Sequence, residues 1–330
     1  MPLTTPIPSD FAHQLRDLLP GEEAEALLTA LDTEPAVSVR YSREKAPGLA
    51  TTFQHDAPIP WAEPRGYYLK NRPLFAADPL WHAGAYYVQE ASSMLLSLVA
   101  PLLEERPLRA LDLCAAPGGK STLLTDLLPE GSLVSNEYVA TRAKVLQENI
   151  QKWGSPHAIV TSTEAAKLGR LRETFDIIVV DAPCSGEGMF RKEEEARRQW
   201  TPGLVASCAS LQKEILADIW LALAPGGLLV YSTCTFNRQE DEDNLAFLIE
   251  ELGALPEALP DCPAEVSPSS LSPYPCYRMM PHRQRGEGLF LALVRKPEEQ
   301  AQGALRLKGK MKSKPCMPPK EVLSWLKENW

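Results

Sequence analysis

A chain of 330 residues, 44% of them hydrophobic and 23% charged, carries enough apolar material for a large buried core and too much for a disordered polymer. Its 43 acidic and 34 basic side chains leave a net charge of −9, which excludes coating of nucleic acid by a bulk excess of cations and leaves only a local basic surface open. The start, MPLTTPIPSDF, has no basic segment followed by an apolar core, and no run reaches the length of a membrane span, so a cytoplasmic protein with no membrane partner is expected.

Residues 8–31 place apolar side chains at helical spacing with a break at Leu19-Pro20-Gly21, which predicts two short helices. Residues 36–41, AVSVRY, alternate as a strand does. The proline- and aromatic-rich APIPWAEPRGYYLKNRPLF that follows reads as loop. Its Trp61, Tyr67 and Tyr68 have two uses, packing the leading domain or holding an unstacked base. Residues 1–75 are therefore expected to form a small α+β N-terminal domain.

From residue 108 the pattern changes. Strands are predicted at 108–113, 132–136, 158–161, 175–180, 227–233 and 288–294, and helices at 120–128, 141–153, 203–223 and 241–252. Such interleaving across residues 76–297 indicates the α/β class, a mostly parallel sheet covered on both faces. Ligands of these sheets gather outside the carboxyl ends of the strands. The last stretch, 298–330, is a separate segment. Its portion 304–320 carries six basic residues and no acidic one, and it reads either as a solvated linker or as an RNA-contacting arm. The closing PPKEVLSWLKENW starts a helix, as the opening of a further C-terminal region would.

Between the first central strand and its helix lies CAAPGGK, comprising Cys114, Ala115, Ala116, Pro117, Gly118, Gly119 and Lys120. Small residues and glycines let the backbone turn sharply and approach a ligand, while the free N–H groups of the helix start point at it. The turn is also what any tight strand-to-helix connection needs, and it is not the GxGxxG of a dinucleotide site. Glu137 shifts the balance. It ends the next strand, about 20 residues on, where a carboxylate accepts hydrogen bonds from ribose hydroxyls, so turn and acid together suggest a nucleoside. Glu164, after the third strand, is a further contact facing an adenine amino group or simply a helix-start residue.

Seven cysteines without a CxxC pair suggest free thiols and no metal site. Two of them follow strands, Cys184 in DAPCSGEG and Cys234 in YSTCT, and the neighbouring strands would bring them across one cleft on the ligand side. A thiol beside a nucleoside-like methyl donor has a specific use. C5 of a pyrimidine is a poor nucleophile until a thiolate adds to C6, which is covalent catalysis. A carboxyl group such as Asp181 can stabilise the charge that develops along the N3 and N4 edge. The C5 proton and the thiol must then leave, which gives a second thiol a role. Residue chemistry alone does not order the two.

CAAPGGKSTLL, NEY, VVDAPCSGEGMFRK and YSTCTFNRQEDEDNL, together with HAGAYYVQEASSM and RMMPHRQRGEGLFLALV, resemble the Nop/Sun family of RNA cytosine-5 methyltransferases and its bacterial 16S rRNA branch in particular. The likeness runs from about residue 8 to 296. It implies a Rossmann-like class I methyltransferase core with a seven-stranded, mostly parallel sheet, S-adenosylmethionine as cofactor, and RNA, rRNA or the small ribosomal subunit, as partner. Residues 114 to 120, Glu137, Glu164 and Asp181 would bind the cofactor. The resemblance makes Cys234 the nucleophile and gives Cys184 product release, with Asp181 and Lys120 facing both cofactor and base. It also places Arg191, of GMFRK, near RNA phosphate. Two departures are present: TSTEA stands where an Asp-Gly setting is usual, and Arg40-Tyr41-Ser42 where Arg-x-Asn is common. Nothing in the sequence demands more than a monomer.

Three rivals remain at this stage. A DNA cytosine-5 methyltransferase would pair its Pro-Cys with a downstream ENV-type glutamate, but the only similar string, Glu148-Asn149-Ile150, lies upstream. A tRNA cytosine-5 methyltransferase would share the whole core. A non-enzymatic RNA-binding assembly factor would have no need to keep both thiols, the turn and Asp181.

Overall fold

The computed structural model describes residues 5–46 and 53–300. The basic segment 304–320 and the closing PPKEVLSWLKENW lie outside the described residues. Two helices open the chain, α1 (Ser9–Leu18) and α2 (Gly21–Leu31), separated where Pro20 stands. An antiparallel sheet follows, made of β1 (Val37–Tyr41), β2 (His55–Pro58), β3 (Gly66–Leu69) and β4 (Tyr86–Tyr87) in the order β2-β3-β1-β4, with the short α3 (Pro79–His82) before its last strand. This sheet draws its last strand from beyond residue 75.

The following part alternates as expected: β5 (Arg109–Asp112), α4 (Gly119–Leu127), β6 (Ser132–Asn136), α5 (Ala140–Trp153), β7 (Ala158–Thr161), α6 (Ala165–Gly169) and β8 (Phe175–Asp181). It continues through α7 (Glu194–Gln199), α8 (Pro202–Trp220), β9 (Leu223–Thr233), α9 (Glu242–Glu250), β10 (Leu255–Glu257), β11 (Ser267–Pro268), β12 (Cys276–Met279) and β13 (Leu289–Arg295). Seven strands make the body of the sheet in the order β12-β13-β9-β8-β5-β6-β7, and the short β10 and β11 extend it to nine. The run from β9 to β7 is parallel, whereas β13 and β12 are antiparallel. The fold has the α/β class expected from the alternation and the Rossmann-like architecture that the resemblance implies.

Ile177, Ile178, Val179 and Val180 of β8 are fully buried, because helices cover both faces of the sheet. At roughly 1.5–3 kcal/mol for each buried side chain of this size, such central strands dominate the stability. The helix pair α1–α2 packs on the larger unit. Phe11, Leu15, Ala24, Leu27 and Leu31 share a core with Phe190, Trp200, Val205, Phe236 and Met280 of the larger unit. Arg40 links the small sheet to α4 from a buried position: its guanidinium donates to Gln89 Oε1 (2.7 Å), Asp126 Oδ2 (2.5 Å) and Thr122 Oγ1 (2.6 Å), and it lies 4.6 Å from the Trp153 ring centroid. Among the described residues no helix is long and apolar enough to cross a membrane.

Candidate active site

The register of the parallel strands brings the chemistry together. Asp112 of β5 lies opposite Val179 of β8, and Asp181 at the end of β8 lies opposite Ser232 of β9. Residues 114–120 leave β5 on the same side, so turn, carboxylate and both thiols meet at the carboxyl ends of adjacent strands.

Gly118 has φ +117°, a left-handed conformation that a side chain would oppose, and it immediately precedes α4. The turn is fixed from outside by Asn149 Nδ2, which donates to Pro117 O (2.8 Å), and by Arg142, which donates to Ala116 O (3.0 Å). Beneath it, buried Asp112 accepts from Ser121 Oγ at 2.6 Å. Burial pushes the Asp112 carboxyl up to about 7, partly countered by that hydrogen bond and by Lys120. The Cys114 thiol is pushed up as well, by burial and by the surrounding carboxylates, so it stays protonated and serves as part of the turn.

Glu137 follows β6 and is buried. One oxygen accepts the Val139 N–H at 2.9 Å, while Oε2 accepts no hydrogen bond among the described residues, although Arg142 lies 3.4 Å away. A buried carboxylate oxygen with spare accepting capacity beside a glycine turn fits the ribose of a nucleoside. Glu164 occupies the N-cap of α6 without capping it. Its side chain is 53% exposed and pairs with Lys167 at 3.3 Å.

Lys120 Nζ lies 2.8 Å from Asp181 Oδ2, with side chains 10% and 37% exposed, and Ser232 Oγ donates to Asp181 Oδ1 at 2.7 Å. Burial works against the Lys120 charge, but Asp181, then Asp112 and Cys234, hold it above its ordinary value. Cys184 Sγ and Cys234 Sγ are in contact at 3.2 Å. The hydrogen bond to Cys234, with burial next, pushes the Cys184 thiol well above its ordinary range. The contact and burial favour the protonated form of the Cys184 thiol, and the Cys234 sulfur is the one that Lys120 feels.

Cys234 is aimed by its neighbours. Thr233 Oγ1 and Thr235 Oγ1 both donate to buried Asp241 Oδ1, at 2.5 and 3.0 Å, and the side chain between them turns away toward Cys184. Gly188 N–H donates to Cys234 O at 2.8 Å, and a Cβ at Gly188 would stand 2.9 Å from that same oxygen, so only glycine allows the two thiol-bearing loops this approach. The sequence reading missed Asp112, Glu187, Ser232, Glu240 and Asp241. For Glu187 a signal was available, a charged residue between two glycines inside a motif otherwise small and apolar.

One expectation does not survive. Arg191 is buried and cannot serve RNA phosphate: its guanidinium donates to Glu287 Oε1 (2.8 Å), Glu287 Oε2 (2.9 Å) and Gly286 O (2.7 Å). A guanidinium on an apolar loop needs compensation, and Glu287 supplies it. Of the two uses open to the aromatics, packing is the one observed: Trp61, with its N–H on Ala91 O (2.7 Å), and Tyr68 are buried in a core shared with Ile177 and Val179 of the larger sheet, and Tyr67 stacks on His55 at 4.2 Å between centroids.

Comparison with known proteins agrees with this geometry. Residues 98–295 match the model of the 16S rRNA methyltransferase RsmB/F family, and residues 7–91 match that of the N-terminal domain of 16S rRNA methyltransferase RsmF. Ribosomal RNA small subunit methyltransferase F from Salmonella agona is 35% identical over 303 residues, covering 88% of this chain and 63% of the relative. Its namesake from Serratia proteamaculans is 41% identical over 203 residues, 59% of this chain and 42% of the relative. The chain thus spans less than two thirds of the relatives it matches. Among solved structures, NSun6 from Pyrococcus horikoshii with SFG superposes with a TM-score of 0.75 at 21% identity, over 89% of this chain and 99% of that one, a likeness of fold. With its glycine turn, paired thiols and matching family model over 198 residues, the chain belongs to the RsmB/F family of 16S rRNA methyltransferases.

Proposed function

We propose that the chain transfers a methyl group from S-adenosylmethionine to C5 of a cytosine in 16S rRNA through a covalent adduct at C6. The observation that carries this reading is the 3.2 Å contact between Cys184 and Cys234 beside the Lys120–Asp181 pair. No apolar packing role calls for two thiols, an ammonium and a carboxylate together.

Residues 114 to 120 would cradle the cofactor, Glu137 would accept from its ribose, and Glu164 and Asp181 would complete the contacts. Bound there, S-adenosylmethionine supplies an electrophilic methyl group. Cys234 Sγ adds to C6 of the flipped cytosine, and the electron pair displaced from the C5–C6 double bond makes C5 nucleophilic. Asp181 meets the N3 and N4 edge, where charge changes as the ring loses aromaticity, and its 2.8 Å ion pair with Lys120 holds it there. After C5 is alkylated its proton passes to water, the C5–C6 double bond re-forms from that C–H electron pair, and the C6–S bond breaks with the Cys234 sulfur leaving as a thiolate. Cys184, holding a proton against Cys234, assists that expulsion.

Bisulfite mapping of 16S rRNA and tRNA from a strain lacking the gene tests the substrate. Loss of a single 5-methylcytosine from 16S rRNA supports the proposal, whereas loss from tRNA transfers the same chemistry to the other substrate.

A further inference from the structure

We propose that Glu187 and Glu240 are positioning residues, a reciprocal pair of carboxylates that holds the two thiol-bearing loops in register. Each glutamate belongs to one cysteine loop and grips the other. Glu187, three residues after Cys184, is fully buried and accepts the Phe236 N–H, two residues beyond Cys234, at 2.7 Å. Glu240, six residues after Cys234 and equally buried, accepts the N–H of Ser185, the residue next to Cys184, at 3.0 Å. Asn237 joins them, donating to Glu187 Oε1 (3.1 Å) and to Glu240 Oε1 (2.8 Å).

Buried carboxylates are costly unless their oxygens are filled with donors, and these are. Glu187 also accepts from Trp200 Nε1 and from Gln14 Nε2 of α1, both at 3.0 Å, while Glu240 accepts from Gln212 Nε2 at 2.7 Å. The α1 helix closes the same arrangement through its aromatic side. Phe11 meets Phe190 of the Cys184 loop at 4.8 Å and Phe236 of the Cys234 loop at 6.5 Å between centroids. Neither glutamate touches a sulfur. They act through the backbone on either side of the thiols, where a shift of about 1 Å can cost on the order of a hundredfold in rate.

The inference rests on the two-thiol reading proposed above, and its test uses a readout that needs no methyl transfer. Glu187→Gln keeps shape but sets an amide N–H against the Phe236 N–H or against the donors on the other oxygen. Glu240→Gln does the same at Asn237 or at Ser185. In each variant the rate of Cys184–Cys234 disulfide formation with diamide is followed by peptide mass spectrometry, the diazene nitrogens taking up the two hydrogens the thiols lose. The expected result is about tenfold slower cross-linking in both variants, with kcat falling about ten- to a hundredfold and KM for RNA within about threefold. Wild-type cross-linking rates in both variants overturn the positioning role whatever their activity. Slow cross-linking with unchanged turnover retains the clamp and removes the two-thiol mechanism instead.

Discussion

Cys184 Sγ and Cys234 Sγ lie 3.2 Å apart across the ends of β8 and β9, although 50 positions separate them in the chain. Parallel neighbouring strands make the meeting possible, and Asp181 opposite Ser232 fixes its level. In the proposed reaction Cys234, which lies within reach of the Lys120 charge, attacks, and Cys184 assists release.

Replacing the attacking sulfur should stop the reaction without emptying the cofactor site. Cys234→Ala is expected to lose methyl transfer by more than about 10³-fold, with S-adenosylmethionine affinity by calorimetry within about twofold. Retained turnover would reverse the assignment of the thiols.

Asp181→Asn places an amide against the Lys120 ammonium in a largely enclosed setting. A fall in kcat of about 10²-fold is expected, accompanied by weaker cofactor binding, measured by single-turnover kinetics and calorimetry. Unaltered kcat would remove Asp181 from the reacting edge.

Glu137 and Glu164 should separate by burial. Glu137→Ala removes a buried acceptor and is expected to weaken S-adenosylmethionine binding by about tenfold or more, a loss of about 1.5–3 kcal/mol. Glu164→Ala, at a half-exposed carboxylate already shared with Lys167, is expected to cost about threefold. Equal losses would argue against the ribose contact at Glu137.

The folded chain holds a proton on Asp112 up to about pH 7, whereas the unfolded chain releases it near the ordinary carboxyl value of 3.8. The folded value is raised, so this contribution is complete below about pH 4, declines as pH rises and is gone above about 7. Relative to Asp112→Asn, wild-type stability should therefore fall by up to about 4 kcal/mol between pH 4 and 7 in urea titrations. Parallel pH curves for the two proteins would contradict the burial of this charge.

Arg191 is expected to matter for folding rather than for RNA. Arg191→Ala leaves the buried Glu287 carboxylate only Lys192, 3.7 Å away, and should cost about 3 kcal/mol of stability, while the salt dependence of RNA binding stays that of wild type. A reduced salt slope in a stable variant would restore its contact with phosphate.

Much of this was legible in the chain because its signals are local. Alternating apolar runs marked β5 through β9, and the glycine turn and both thiol motifs fell at strand ends, where ligands of such sheets bind. What escaped depends on distant partners. β12 is four residues long and is defined by pairing with β13, not by its own composition. Arg191 lies in a motif that suggested RNA, but its use is decided by Glu287, 96 positions away. Glu187 and Glu240 read as ordinary charged residues until the backbone donors they fill, 49 and 55 positions away, are brought beside them. The packing of α1 and α2 on the larger unit likewise follows from Phe190 and Phe236, which no local pattern connects to Phe11.

The most direct test of the two-sulfur account is a denaturing gel of Cys184→Ala incubated with 16S rRNA and S-adenosylmethionine. A slow-migrating protein–RNA band should accumulate, bound through Cys234 and absent from the Cys184→Ala, Cys234→Ala double variant. A Cys184→Ala protein that turns over at the wild-type rate with no such band, or a band that survives loss of Cys234, would contradict the account.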